Sequence, residues 1–99
     1  MIKSLRIGPT TYKIKPKKMK GMYGYIDSEK SIIYYDSTAG TKRDHIITVL
    51  HEALHGVTNQ SGIHQVLPDD ELIVRIMENF ICMMFMDNPA FTKELIKSL

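Results

Sequence analysis

The residues whose types and spacing can do chemistry are His51-Glu52-Ala53-Leu54-His55, the pattern H-E-x-x-H. On a helix, residues four apart share a face, so His51 and His55 can aim two imidazole nitrogens at one point. Two such nitrogens suit a zinc ion, which takes histidine nitrogen at about 2.0–2.1 Å. Glu52 is rotated from His51 by about 100° around the helix. That offset removes it from easy ligation of the same ion and leaves it beside a metal-activated water, the general-base position of zinc hydrolases. The pattern therefore points to hydrolysis, with His51 and His55 as metal ligands and Glu52 as the proton carrier.

The motif needs a helix, and its flanks predict one over 41–59. Ile46, Ile47, Val49, Leu50, Ala53, Leu54 and Val57 recur at helical spacing and form the expected buried stripe. Thr41 and Asp44 resemble a capping box with Asp in place of Glu or Gln. Gly56 leaves room for a neighbouring segment or ligand. Residues 58–62 end the helix, with Gly62 as a left-handed stop.

Catalytic zinc usually takes three protein ligands and keeps one position for water. The longer pattern H-E-x-x-H-x-x-G-x-x-H is excluded, because Thr58 and Ser61 stand where its glycine and third histidine belong. Glu71, at the start of a second helix, ranks first as third ligand. Glu78, two turns further along nearly the same face, His64 in the connection and Asp70 beside Glu71 remain open. A short connection makes antiparallel neighbours of the two helices and brings Glu71 or Glu78 within reach. Outside that role, Glu78 and Asp70 read as solvated carboxylates, and His45 as a surface or capping histidine.

The elements that must position these groups follow from patterning. Residues 2–7 form a strand, and Gly8-Pro9-Thr10 a turn. Tyr12 and Ile14 alternate with Lys13 and Lys15 in a second strand that Pro16 ends. Residues 17–21 are a linker. Strands over 22–27 and 31–35 form another hairpin, and 36–40 is a polar loop into the motif helix. The fold class is α+β: a small antiparallel sheet of three or four strands packed on the motif helix and a second ligand-bearing helix. Gly24 inside a strand marks a bulge or the close approach of another backbone. Strand 31–35 is the candidate edge for holding an extended peptide by main-chain hydrogen bonds. Tyr23, Tyr25, Tyr34 and Tyr35 read first as packing residues, although one hydroxyl among them can stabilise an oxyanion. The second helix carries Leu72, Ile73, Ile76, Met77, Phe80, Ile81, Met84 and Phe85 at helical spacing. Its methionines 77, 83, 84 and 86 read as core filler. Asn88 as N-cap and Pro89 at the first position start a final helix.

Length and composition bound the answer. Ninety-nine residues, 43% of them hydrophobic, make a single small domain, 1–99, with a modest core. The lone cysteine, Cys82, rules out an internal disulfide and reads as a buried, inert thiol. The start lacks a secretory pattern and no apolar run is long enough to span a bilayer, so a cytoplasmic location is expected. Charge is uneven. The first 20 residues hold seven basic residues and no acid, leaving six basic and 11 acidic residues for the remainder, a balance of +7 against −5. A basic arm of this kind can bind the phosphates of nucleic acid. The reading taken is a solvated hairpin whose lysines blunt an exposed sheet edge. The sequence allows a monomer or a homodimer.

The chain resembles the minimal H-E-x-x-H metallopeptidase-like proteins of phages and prophages, and is similar to a stripped-down ImmA/IrrE-type zincin. The resemblance rests on the N-terminal hairpin, on Tyr25-Ile26-Asp27 through Tyr35-Asp36, on Thr48 to Val57 around the motif, and on Glu71 to Asp87-Asn88-Pro89. It covers most of the chain, although only H-E-x-x-H is highly specific. It implies a zinc-dependent peptidase acting on a peptide or protein, with a Glu on the helix after the motif completing the site. That role carries over to Glu71. Leu72 stands where a second acid is frequent in the family. A catalytically silent binding module is the alternative, acting through its sheet edge or basic arm on a protein or nucleic acid.

Overall fold

A computed structural model describes residues 1–66 and 69–99, with the side chains of His64 and Gln65 outside that description. The elements are β1 (Ser4–Ile7), β2 (Thr10–Pro16), β3 (Gly24–Asp27), β4 (Ile32–Tyr35), α1 (Lys42–Ser61), α2 (Ile63–Val66), α3 (Glu71–Ile81) and α4 (Pro89–Ser98). Cys82–Met86 continue α3 as a π-helical turn.

Period-two alternation builds the first hairpin: Tyr12 and Ile14 turn inward while Lys13 and Lys15 stay exposed, with Ser4 opposite Lys13 and Ile7 opposite Thr10. The second hairpin pairs β3 with β4, Gly24 opposite Tyr35. The two hairpins are joined by a parallel pairing of β2 with β4, giving a four-stranded sheet of order β1-β2-β4-β3. The α+β architecture is as expected, but the sheet is mixed rather than wholly antiparallel. Strand 31–35 is correspondingly an inner strand, and the edges of the sheet are β1 and β3. The reason lies in composition. Ile32, Ile33 and Tyr35 are all buried, as suits a strand flanked by a neighbour along each edge, whereas every residue of β3 is half-exposed.

The motif helix α1 packs across one face of this sheet. Val49 and Ala53 join Ile7, Tyr12, Ile14, Ile33 and Tyr35 in the core. The arc of α1 that meets the sheet runs through Val49, Ala53 and Gly56, Leu54 is buried as expected, and Thr58 is buried on the opposite side of the helix, against Asp70. Ile46 and Val57 lie at the margin of that arc and are 44% and 39% exposed. Two glycines allow the close fit. A Cβ on Gly24 would lie 2.5 Å from Thr48 Cγ2 and 2.6 Å from the Tyr34 carbonyl, and one on Gly56 would lie 2.9 Å from Ile7 Cδ1. The close approach suspected at Gly24 is thus to the Thr48 side chain as well as to the neighbouring strand.

Both ends of α1 carry their expected stops. The Asp44 amide donates to the Thr41 hydroxyl and the Thr41 amide donates to Asp44 Oδ2 at 2.8 Å. Ser61 is the last helical residue, two beyond the expected 59, and Gly62 closes the helix with φ +83° as expected. The loop before the helix is tied internally: Asp36 Oδ1 accepts from the Thr38 amide at 2.9 Å, and His45 Nε2 lies 2.7 Å from the Ala39 carbonyl oxygen. His45 therefore caps a loop, away from the motif.

The C-terminal helices depart further from expectation. Val74 is the buried residue of α3, while Leu72, Ile76 and Phe80 are each at least 59% exposed. Met83 and Met84 are also exposed, not core filler, and Cys82 is half-buried with its thiol pKa raised by burial. Asn88 does not cap α4 with its side chain. Its Nδ2 donates instead to the carbonyls of Met83 at 3.0 Å and Met84 at 3.1 Å, satisfying the end of the preceding helix. Among the described residues, no helix is long and apolar enough to cross a membrane.

Two outcomes follow for the seating of α1. Gly24→Ala should lower stability by about 1–3 kcal/mol in urea denaturation, and adding Thr48→Ala should restore only part of it, because the Tyr34 carbonyl still obstructs. Thr41→Ala should cost about 1 kcal/mol at neutral pH. Bonds from the Thr41 amide and hydroxyl hold the Asp44 carboxyl below its ordinary 3.8. A depressed folded pKa stabilises fully above the unfolded value and ceases to do so as pH falls through the folded one. The gap between wild type and Thr41→Ala should therefore narrow as pH drops below 3.8.

Candidate metal centre

One helical turn sets His51 and His55 side by side on α1, their ring centroids 5.1 Å apart. α3 runs antiparallel to α1 at this point, since His51 meets Glu78 and the later His55 meets the earlier Asp70. Glu71 lies between them. Its Oε1 is 3.1 Å from His51 Nε2 and its Oε2 is 2.8 Å from His55 Nε2. One ligand atom from each of His51, His55 and Glu71 lies within 4.8 Å of the other two.

The remaining ring nitrogens are held from outside. His55 Nδ1 is 3.0 Å from Asp70 Oδ1, and His51 Nδ1 is 3.4 Å from Glu78 Oε2. The fully buried Thr58 donates its hydroxyl to the other oxygen of Asp70. With Nδ1 set against an outer carboxylate, each ring presents its Nε2 to Glu71. Two lone-pair-bearing atoms at 2.8–3.1 Å repel unless a proton or cation lies between them. A four-coordinate ion with bonds of about 2.0–2.1 Å sets its donors roughly 3.3 Å apart, close to that spacing. Two neutral imidazoles and a carboxylate are also a donor set that zinc accepts. The residues present fit the ion.

The charges around the site follow its contacts. Burial opposes ionisation of Asp70, but the Thr58 hydroxyl and the His55 ring outweigh it and keep the carboxyl below its ordinary range. Burial likewise opposes ionisation of Glu71, and the two histidines outweigh it. At Glu52 burial wins: the carboxyl pKa is raised, although His51 and His55 pull the other way. Arg75 Nε donates to Glu71 Oε1 at 3.3 Å from the exposed side.

A cleft of about 580 Å³ opens beside these groups, lined by His51, Glu52, Glu71, Arg75 and Glu78 together with Tyr23 and Gly24 at the β3 edge. The structure thus brings together His51, Glu52, His55 and Glu71. Asp70 and Glu78 are neither placed among the three converging donors nor left as solvated surface acids; each holds a histidine. The side chain of His64, the other open candidate, lies outside the described residues. Of the four tyrosines considered, only Tyr23 borders this cleft. Tyr25 stacks on Tyr34 elsewhere, and Tyr35 is in the core. Sequence reasoning missed the supporting role of Thr58, whose hydroxyl matters only because α3 delivers Asp70 to it. Asp70 carried a usable signal, an acid directly before the favoured ligand.

No protein-family model matches this chain, nor does any curated protein or solved structure.

Removing the outer carboxylates should loosen the rings without deleting a ligand. Asp70→Asn and Glu78→Gln should each weaken zinc binding about 10- to 100-fold in chelator competition, less than Glu71→Ala does. Unchanged affinity in both would mean that the outer contacts do not orient the histidines.

Proposed function

We propose that this chain is a zinc-dependent peptidase of the minimal zincin type suggested by its resemblance to phage-borne ImmA/IrrE-like proteins, acting in the cytoplasm. The observation that supports this most is the convergence of His51, His55 and Glu71 beside an open cleft that also contains Glu52. His51 and His55 through Nε2, and Glu71 through its carboxylate, would hold the ion. Zinc bound there supplies Lewis acidity, polarising a carbonyl and lowering the pKa of a water toward about 7.

The other steps belong to the chain itself. Glu52, half-buried on the next helical position, takes a proton from the attacking water and delivers it to the leaving amine. Its raised pKa suits a group that must both accept and return a proton. Asp70 and Glu78 keep the imidazole rings from turning. β3 is the terminal strand of the sheet and lines the cleft at Gly24, so its free main-chain groups can align an extended peptide across the site.

The test separates metal holding from proton transfer. Glu52→Gln should keep one zinc per chain and lose about 10²–10⁴-fold in cleavage rate on a peptide library read by mass spectrometry. Chelation should abolish wild-type cleavage. Equal cleavage by Glu52→Gln would remove the proton-carrying role. Full zinc occupancy in a wild type that cleaves nothing in the library would favour the silent module.

A further inference from the structure

The basic N-terminal third is not used by the peptidase reading, and its placement differs from edge protection. Lys13 and Lys15 stand on β2, which lies between β1 and β4, so they blunt no edge. α1 covers the face of the sheet that carries Tyr12, Ile14, Ile33 and Tyr35. Alternation puts Thr11, Lys13 and Lys15 on the opposite face, and β1 adds the exposed Arg6 across from Thr11. Lys17 extends this file, its amide donating to the Tyr35 carbonyl at 2.9 Å.

Beside the lysines lie two aromatic rings. Tyr25 and Tyr34 oppose each other across β3 and β4, stacked with centroids 4.7 Å apart, and both are half-exposed. Lys17 Nζ sits 5.3 and 5.0 Å from their centroids and donates to the Tyr25 hydroxyl at 3.0 Å. The strands hold one acid, Asp27, whose Oδ1 already accepts the Lys30 amide.

We propose that this open sheet face, with Lys13, Lys15 and Lys17 beside the Tyr25–Tyr34 stack, binds single-stranded nucleic acid. Alternate residues of a strand are about 6.6–6.8 Å apart, so the lysines form a linear row of positive charge for the phosphates of an extended strand. The tyrosine rings supply a π-face on which an unpaired base can stack. A duplex keeps its bases stacked among themselves and leaves the rings without a role. An acidic peptide would satisfy the lysines but likewise leaves the rings unused. The surface is on the far side of the sheet from the metal centre and does not depend on the peptidase reading.

The test is fluorescence anisotropy of a labelled 15-nucleotide oligothymidylate with the full chain, over a salt series. Three or four phosphate contacts should give a slope of log K against log salt of about −2 to −3. Lys13→Glu with Lys15→Glu should abolish binding. Tyr25→Ala and Tyr34→Leu should each weaken it about 5- to 100-fold with little change in slope, circular dichroism confirming that each variant is folded. Glu52→Gln should bind as wild type does. The proposal is overturned by any of three results: no binding at low salt, loss on lysine substitution with none on tyrosine substitution, or equal affinity for duplex DNA, polyglutamate or anionic phosphatidylserine vesicles.

Discussion

Two histidines one turn apart carry four ring nitrogens, and only two of these can face a shared cation. The rest of the structure depends on what restrains the other two. Asp70 and Glu78 do so from α3, one on each Nδ1, while Glu71 meets both Nε2 atoms between them. This pairing fixes both the direction and the rotation of α3 against α1. The helix must run antiparallel, and its polar stripe must face the cleft. Its apolar residues are left to divide between the core, where Val74 is fully buried, and the outer surface, where Leu72, Ile76 and Phe80 are exposed. The amphipathic pattern of α3 thus serves the site as much as the core.

The sheet sets the third wall. α1 packs closely on it at Gly24 and Gly56, where an added Cβ would run into Thr48 and Ile7. Gly24 also begins β3, the strand whose free edge lines the cleft. Glu52 and Thr48, on the part of α1 nearest that strand, therefore look into a space bounded by β3 and α3. The capping box at Thr41 and the left-handed Gly62 fix where the helix begins and ends, and so where the motif lies along it.

Much of this was legible in the chain because it is governed by local rules. The period of α1, its Thr41–Asp44 cap, its Gly62 stop and the convergence of His51 with His55 are each set by residues a few positions apart. Glu71 was reachable by combining helix polarity with a short connection. What was not legible required knowing which surfaces meet. The alternation of β2 and the apolar run of β4 specify strands, but not that the two run in parallel side by side, and so the edge was assigned to β4 rather than β3. Apolar spacing alone placed Ile46, Val57, Met83 and Met84 inside. A stripe shows which residues could be buried, whereas the arc that meets the sheet decides which are. Asn88 has the chemistry of an N-cap, yet the carbonyls of Met83 and Met84 lie within reach and take its amide. Asp70 and Glu78 seemed ordinary helix acids until the antiparallel register set each against a ring nitrogen.

Zinc-edge X-ray absorption on the purified chain reads the donor set of His51, His55 and Glu71 itself. It should show one zinc per chain, with outer-shell scattering from two imidazoles and only nitrogen and oxygen donors at about 2.0–2.1 Å, and loss of an oxygen donor in Glu71→Ala. Sulfur in the coordination sphere, one imidazole or none, or a spectrum unchanged by Glu71→Ala would contradict that donor set.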